Sequence, residues 1–271
     1  MLNSKVNESI EKIRTFTGEK PEIALVLGSG LAPIAERLEN KVVIPYKEIP
    51  YFQESSAPGH DSRLIFGDLN DVPVLCMQGR LHFYEGFSMQ EVTYPIRVMA
   101  KLGIKNLILT NACGGLDSAM LPGDLMLITD HINYMGDNPL IGQNEEDFGE
   151  RFPDMTRVYN KDLGKIALDS ATDLDIPLRQ GIYISYSGPS FETPAEIRMM
   201  QNWGGSAVGM STVPEAIVAV HSGLKVLGIS CITNLAAGIL GQPLSSEEVI
   251  IAAGEASEKF VDLLTEVITR I

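Results

Sequence analysis

Five short runs along the chain are apolar at nearly every position, and each ends in small or polar residues. The runs are IALVLGSG (23–30), VPVLCMQGR (72–80), NLILTNACGG (106–115), SAVGMS (206–211) and KVLGISCITN (225–234). Runs without polar alternation are typical of strands that are buried on both faces, as in a largely parallel α/β sheet. The pattern therefore predicts an α/β fold with these runs as its central strands.

Helical patterns lie between several of these runs. Residues 88–101 carry apolar side chains at helical spacing, although Pro95 suggests a kink or a late start. Thr193–Glu196 and Ser245–Glu248 have the capping-box pattern of a helix start, and a long apolar stripe follows the second one. Residues 133–160 are rich in Gly, Asn, Asp and Pro, and this composition predicts a long surface loop.

The ends of the apolar runs form the first candidate site. Open α/β sheets bind ligands beyond the carboxyl ends of their strands, so these endings are expected to meet at one place. Their polar content is also greater than chain reversal requires. The endings are Gly28-Ser29-Gly30, Arg80-His82-Tyr84, Asn111-Ala112, Met210-Ser211 and Thr233-Asn234.

The segment QGRLHFYEG (78–86) carries the most distinctive side chains. Read as extended backbone, it places Arg80, His82 and Tyr84 on one face. A guanidinium suits phosphate, and the neighbouring imidazole could donate a second hydrogen bond. The alternatives are a surface ion pair for Arg80 and, for His82, an imidazole bonded to the backbone and tied to Glu85.

The triplet Gly28-Ser29-Gly30 raises the question of a dinucleotide site because it follows a strand-like run. The third glycine of that fingerprint would fall at position 33, which is Pro33, so an NAD-binding oxidoreductase is disfavoured. A phosphate held by the backbone amides and the Ser29 hydroxyl remains an alternative to a simple strand-to-helix turn.

Several other polar residues have both a structural and a chemical interpretation. Glu192 precedes the N-cap Thr193, so it either favours the helix dipole or accepts N–H bonds from a heterocycle, with Phe191 as a stacking surface. Asn234 either caps a turn or uses its amide to donate to and accept from a base edge. His60 is by default a loop residue.

Composition and charge exclude several classes of function. The chain has 271 residues, of which 45% are hydrophobic, and this length is consistent with a single domain over 1–271. Its net charge of −14 argues against nucleic acid or an anionic membrane as the main partner. No signal sequence or transmembrane run is evident, and we expect a cytoplasmic protein. The three cysteines lack metal-ligand spacing and are predicted to be buried thiols.

Six motifs occur in one order, and together they identify a family. They are LGSGL (27–31), GRLHFYEG (79–86), TNACGG (110–115), GPSFETPAE (188–196), AVGMSTVPE (207–215) and ITN (232–234). This combination closely resembles the trimeric class of purine nucleoside phosphorylases, in the nucleoside phosphorylase family. The resemblance extends from about Ile23 to the C-terminal helix.

The resemblance implies a fold, an assembly and a reaction. The fold is an α/β three-layer sandwich around a distorted, mixed and partly barrel-like sheet, and the assembly is a homotrimer. The reaction is reversible phosphorolysis of purine nucleosides to a free purine and pentose 1-phosphate, a step of purine salvage. Inorganic phosphate is a co-substrate, and no metal or organic cofactor is expected.

The resemblance also implies site residues by matching motif positions. The catalytic residues would be His82, Glu192 and Asn234. The phosphate site would be formed by Ser29, His60, Arg80, His82, Asn111, Ala112 and Ser211. The nucleoside site would be formed by Tyr84, Gly114, Phe191, Glu192, Met210 and Asn234, together with Phe152 from a neighbouring subunit.

Two positions bear on specificity. Asn234 is expected to favour 6-oxopurines such as those of inosine, guanosine and their 2′-deoxy forms, because relatives that act on 6-amino substrates have aspartate there. Ser246 stands where many relatives have a histidine near the nucleoside 5′-hydroxyl, so direct recognition of that hydroxyl is in question. The other hypotheses are a methylthioadenosine phosphorylase, a hydrolytic nucleosidase and a non-catalytic purine-binding protein.

Overall fold

The secondary structure alternates between strands and helices along the chain. The structure is a computed structural model that describes residues 2–28, 30–57, 61–240 and 243–271, with only the backbone of Ser246. The strands are β1 (Ile23–Leu27), β2 (Glu39–Pro45), β3 (Arg63–Leu69), β4 (Val72–Gln78), β5 (Asn106–Gly115), β6 (Leu125–Tyr134), β7 (Leu178–Tyr186), β8 (Ala207–Gly209) and β9 (Lys225–Leu235). The helices are α1 (Leu2–Arg14), α2 (Ala32–Glu36), α3 (Met89–Leu102), α4 (Lys161–Asp173), α5 (Pro194–Asn202), α6 (Val213–His221) and α7 (Ser246–Arg270).

The strands form one mixed sheet that closes on itself at one end. Its order is β2-β3-β4-β1-β5-β8-β7-β6-β9, and β5 also pairs with β9. This additional pairing joins β5, β8, β7, β6 and β9 into a barrel-like ring. Strand β1 is parallel to β4 and β5, whereas β8 is antiparallel to β5 and β6 is antiparallel to β9.

Helices cover the sheet on both sides, which gives three layers. The residues of β1 are all apolar because both faces of the strand are covered. Ala24 and Val26 belong to one core, and Leu25 and Leu27 belong to the other. The first core includes residues of α1, α3 and α6, and the second includes residues of α2, α4 and α7. The predicted α/β sandwich around a mixed, partly barrel-like sheet is confirmed.

The predicted helix starts are also confirmed. Helix α3 begins after Ser88, whose hydroxyl accepts from the Glu91 amide, and the helix continues through Pro95. Helix α5 begins with the reciprocal capping box of Thr193 and Glu196. Ser245 caps α7 by accepting from a first-turn amide. These local signals determined the boundaries because each hydroxyl satisfies an amide that the helix itself leaves unpaired.

The expectation of a largely parallel sheet holds for the neighbours β4, β1, β5 and β9, but not for the four antiparallel pairings of the sheet. It missed β2, β3, β6 and β7, in which exposed or half-buried residues interrupt the apolar pattern. Such strands face solvent or loops along part of their length, so their sequences lack the continuous apolar run of a doubly covered strand. The run at 206–211 forms only the three-residue strand β8.

The predicted loop at 133–160 is confirmed, apart from the end of β6 at Tyr134. No helix or strand is assigned between Tyr134 and Lys161, and the loop is anchored at Phe148, which is buried. The Arg97 guanidinium lies 5.0 Å from the centre of the Phe148 ring. Elsewhere, no helix in the described parts of the chain is long and apolar enough to cross a membrane.

Candidate active site

One cavity of about 680 Å³ lies where β1, β4, β5, β8 and β9 end. It is lined by residues from all five predicted run endings and by the segment that leads into α5. The carboxyl ends of the parallel strands β4, β1, β5 and β9 converge there because they lie at the same edge of the sheet, and the short strand β8, antiparallel to β5, also ends there. The predicted residues that line it are Arg80, His82, Tyr84, Asn111, Ala112, Gly114, Phe191, Glu192, Met210, Ser211 and Asn234.

Arg80 is the centre of one half of this cavity, which we call the anion side (Arg80, His82 and Ser211). The Arg80 side chain is buried, and its Nη1 donates to Ser211 Oγ at 2.9 Å and to Thr212 Oγ1 at 3.1 Å. Its Nη2 donates to the carbonyl oxygen of Thr110 at 2.6 Å. The guanidinium is therefore held in one orientation before any ligand is bound.

A buried carboxylate lies behind this arginine. Glu215, in α6, places Oε1 3.5 Å from Arg80 Nε, and both side chains are only 2% exposed. The Glu215 oxygens have no hydrogen-bond partner among the described residues. Removing one member of such a pair leaves an uncompensated buried charge, which typically costs about 3–5 kcal/mol. The surface ion pair considered for Arg80 is thus wrong, because its partner is buried.

Thr212 adopts an unusual backbone conformation at this side. Its φ is 74° and its ψ is −50°, a region that β-branched residues rarely occupy. The Val213 amide donates to the Ser211 carbonyl at 2.8 Å, which closes a strained γ-turn around Thr212. Such a conformation costs about 1–3 kcal/mol and persists only where its surroundings hold it.

The segment at 78–86 was predicted to be extended, but only its first residue belongs to a strand. Strand β4 ends at Gln78, and Phe83–Glu85 form a single 3₁₀ turn. Arg80, His82 and Tyr84 still line the cavity, because the turn stacks Tyr84 on His82 with 4.8 Å between ring centres. The alternation of an extended strand therefore predicted correctly that these three side chains lie together, although the backbone that places them is a 3₁₀ turn.

Glu85 holds His82 in place, and the predicted tie between them is confirmed. Its Oε1 accepts from the His82 amide at 2.8 Å and lies 3.2 Å from His82 Nδ1. Burial alone would raise the pKa of Glu85, but hydrogen bonds from His82 and Ser56 hold it below its ordinary value. The ionised carboxylate therefore fixes the His82 ring through its Nδ1 atom.

The opposite half of the cavity, the base side (Gly114, Phe191, Glu192 and Asn234), is differently built. The side chains of Glu192 and Asn234 are buried, yet neither makes a hydrogen bond to another described residue. Asn234 Oδ1 lies 3.3 Å from the position that a Cβ on Gly114 would occupy, so a side chain there would crowd it. Burial raises the pKa of Glu192, and the nearby Glu196 raises it further.

Of the remaining predicted positions, three lie wholly or in their side chains outside the described residues, and one lies away from the cavity. Ser29 and His60 lie outside the described residues. Ser246 is the first residue of α7, but its side chain also lies outside them. Phe152 does not line the cavity of its own chain and is 85% exposed on the loop after β6.

Sequence reasoning missed two residues that support the site without lining it. Thr212 and Glu215 both lie in the motif GMSTVPE, and both are buried against Arg80. The motif marked the segment, but nothing in its spacing says that these side chains face β4. A buried glutamate beside a buried arginine becomes evident only when α6 is packed on the sheet.

The cysteines offer no second chemistry. Cys76, Cys113 and Cys231 are buried free thiols, as predicted. Burial raises the pKa of both Cys76 and Cys231 to about 12, so these thiols remain protonated and are poor nucleophiles. Within the described ranges, no cluster of histidine, cysteine and carboxylate side chains could hold a metal ion.

Known proteins resemble this chain over almost its whole length. The model of the phosphorylase superfamily matches residues 22–269. Purine nucleoside phosphorylase 1 of Bacillus subtilis (strain 168) is 51% identical over 269 residues, which cover 99% of each chain. Schistosoma purine nucleoside phosphorylase has been solved in complex with hypoxanthine, and it superposes with a TM-score of 0.94 at 38% identity, covering 99% of this chain and 97% of that one. A second structure, from Schistosoma mansoni and with the same statistics, holds adenosine.

Proposed function

We propose that this chain, which belongs to the phosphorylase superfamily, cleaves purine nucleosides with inorganic phosphate. The products are the free purine and pentose 1-phosphate, and the reaction is reversible. No metal or organic cofactor takes part, because phosphate itself is the nucleophile.

One observation carries this proposal. A single cavity combines a buried positive charge and a hydroxyl donor for an anion, Arg80 and Ser211, with a carboxylate and a carboxamide, Glu192 and Asn234, that suit a purine edge. A binding site for a base alone would not need the arginine, and a phosphate site alone would not need the other two groups. The pairing is what phosphorolysis requires.

The anion side supplies the position of the nucleophile. Phosphate reacts slowly at the anomeric carbon in water, so its capture next to the sugar removes most of the entropic barrier. Arg80 supplies positive charge beside the phosphate, and Ser211 donates to one of its oxygens, together with the backbone at Asn111 and Ala112. His82, whose Nδ1 donates to Glu85, donates a further hydrogen bond from Nε2 in its protonated form. Tyr84 and Met210 then contact the ribose beside it.

The base side stabilises the leaving group. As the glycosidic bond breaks, positive charge grows on the sugar and negative charge grows on the purine. The bound phosphate stabilises the sugar, while the Asn234 amide donates toward N7 and Glu192 accepts from N1–H. Both purine interactions strengthen in the transition state, so they lower the barrier rather than only improving binding.

The assembly proposed is a homotrimer in the cytoplasm. Phe152 is exposed on a loop whose base is anchored at Phe148, so the loop can present the ring to a neighbouring subunit. There it would cover the nucleoside in the neighbour's cavity. Three buried free thiols also fit a reducing compartment.

The proposed substrates are inosine, guanosine and their 2′-deoxy forms. An amide at position 234 can donate to N7 and suits a 6-oxopurine, whereas a carboxylate there would favour a 6-amino group. The Schistosoma mansoni relative has been solved with adenosine, so a 6-amino substrate belongs in every assay. Binding of adenosine without turnover is compatible with the proposal.

Steady-state kinetics with and without phosphate test this function. Hypoxanthine should form from inosine only when phosphate is present, and kcat/KM should be higher for inosine than for adenosine or methylthioadenosine. Equal rates without phosphate would indicate a hydrolytic nucleosidase. Faster cleavage of methylthioadenosine would indicate a phosphorylase of the other substrate class.

A further inference from the structure

Thr212 occupies an N-cap position but does not act as a cap. It precedes α6, where a threonine hydroxyl ordinarily accepts a hydrogen bond from an amide of the first helical turn. Here no such bond is made. The γ-turn instead directs the hydroxyl to Arg80 Nη1 at 3.1 Å and to Asn111 Nδ2 at 3.0 Å. A strained backbone thus holds the hydroxyl toward the anion side.

The hydrogen bonds around this hydroxyl have only one consistent direction. The Arg80 guanidinium and the Asn111 amide nitrogen can only donate, so they occupy both lone pairs of Thr212 Oγ1. The single proton of Thr212 must then go to its remaining partner, Ser211 Oγ, at 3.1 Å.

Assigning the lone pairs and the proton in the same way determines the role of the Ser211 hydroxyl. Its oxygen accepts from Arg80 Nη1 at 2.9 Å and from Thr212, which fills both lone pairs. The buried Tyr183 hydroxyl lies near Ser211 but makes no hydrogen bond of ordinary geometry, so no acceptor among the described residues takes the proton of Ser211. Because Ser211 lines the cavity, its hydroxyl is left as an obligatory donor that faces an incoming ligand.

We propose that Thr212 is a positioning residue for phosphate: its hydroxyl, turned away from α6 by the γ-turn, fixes Ser211 as a hydrogen-bond donor toward the cavity. Thr212 itself is fully buried and does not line the cavity, so it acts only through Ser211 and Arg80. This inference rests on the proposed function, in which those two residues hold phosphate.

Two substitutions isolate the hydroxyl. Thr212→Val keeps the β-branched shape and removes the hydroxyl, whereas Thr212→Ser keeps the hydroxyl and removes a methyl group. We expect Thr212→Val to raise the KM for phosphate by about 10-fold, the usual effect of one lost hydrogen bond to a charged group. The KM for inosine should change much less. Thr212→Ser should restore most of the phosphate affinity.

A second set of variants tests the route and guards against misfolding. Thr212→Gly also lacks the hydroxyl but adopts positive φ without strain, so it replaces Thr212→Val if that variant does not fold. Ser211→Ala combined with Thr212→Val should raise the KM for phosphate no further than Ser211→Ala alone, because both changes remove the same donor.

Several results would overturn the positioning role. They are an unchanged phosphate KM in Thr212→Val or Thr212→Gly, equal increases in the KM values of phosphate and inosine, and a Thr212→Ser variant as impaired as Thr212→Val. The wild-type assay separates this outcome from failure of the proposed function. If the wild-type chain cleaves inosine equally well without phosphate, the function itself is wrong.

Discussion

The two halves of the cavity differ in how much of their hydrogen bonding is already made. On the anion side, Arg80 is bound to Ser211, Thr212 and a backbone carbonyl, and it lies beside the buried Glu215. On the base side, the side chains of Glu192 and Asn234 are buried without a hydrogen bond to another described residue. The arginine of one half is held by several hydrogen bonds within the chain, whereas the other half leaves its polar side chains for a ligand.

This difference matches the demands of the two reactants. Phosphate is small and strongly hydrated, so donors held rigidly in advance avoid the cost of ordering them when it binds. A purine brings its own donors and acceptors, and groups that lack protein partners can pair with them. The Phe191 ring, which lines this side of the cavity, is also 41% exposed and open to contact with a ligand.

Removing the arginine of the anion side should cause the largest loss of activity. Arg80→Met should lower kcat/KM for inosine by about 10³-fold, because the main positive charge for phosphate is lost. It should also destabilise the fold, since Glu215 would remain buried alone. Adding Glu215→Gln should recover much of the unfolding free energy in chemical denaturation, but none of the activity. Recovery of activity by the double variant would contradict a direct role for Arg80.

Exchanging the carboxamide should alter the base side alone. Asn234→Asp should lower kcat/KM for inosine on the order of 100-fold, because one transition-state donor is lost. It should raise the relative activity on adenosine, since a carboxylate can accept from an amino group. The KM for phosphate should stay near the wild-type value. An unchanged inosine-to-adenosine ratio would refute the specificity assigned to Asn234.

Neutralising the buried carboxylate should separate stability from activity. Glu192→Gln should lower kcat/KM for inosine by about 30-fold, because a charged acceptor for N1–H is lost. Burial raises the pKa of Glu192, so the folded chain binds its proton more tightly than the unfolded chain. The resulting stability is present at low pH and lost as the pH rises through the folded-state pKa.

The corresponding measurement is Tm as a function of pH. At pH 7 the Glu192→Gln variant should be at least as stable as the wild type, and its advantage should vanish under acidic conditions. The wild-type kcat/KM for inosine should fall on its acidic limb at a pH above the ordinary carboxyl range. A lower Tm for Glu192→Gln at pH 7 would show that the ionised side chain stabilises the fold.

Truncating the exposed ring should give the smallest effect and test the neighbour's contribution. Phe152→Ala should raise the KM for inosine by about 10-fold through lost contact with the nucleoside, while the KM for phosphate should remain unchanged. Its unfolding free energy should shift by less than about 0.5 kcal/mol, because Phe152 packs against little of its own chain. Phe16→Ala, at the end of α1, is the matched aromatic control and should alter neither KM value.

The sequence predicted the central strands and helix starts well because their signals are local. Leu25 and Val26 are apolar because β1 is covered on both faces, and Thr193 and Ser245 carry their caps in the sequence itself. Strands such as β2 were missed because their sequences lack an apolar run, and they become strands only by pairing with a neighbouring strand. Antiparallel pairing of β6 with β9, which helps to close the barrel, has no local signature.

The site was predicted as a set of motifs but not as a network. Motif order nominated Arg80, Ser211 and Asn234, and the structure brings all three to one cavity, although their chemical roles remain predictions. Thr212 and Glu215 could not be assigned because their importance depends on a backbone twist and on burial. Both properties arise only when α6 meets the end of β4.

Labelled phosphate tests the central claim most directly, namely that the anion side holds the nucleophile. Inosine should be incubated with the wild-type chain and phosphate carrying ¹⁸O at all oxygens, and the sugar product analysed by mass spectrometry. Attack by phosphate at the anomeric carbon predicts pentose 1-phosphate that retains every labelled oxygen, including the bridging one, in amounts equal to the hypoxanthine released. Unlabelled free pentose, formed at the same rate with or without phosphate, would contradict the account.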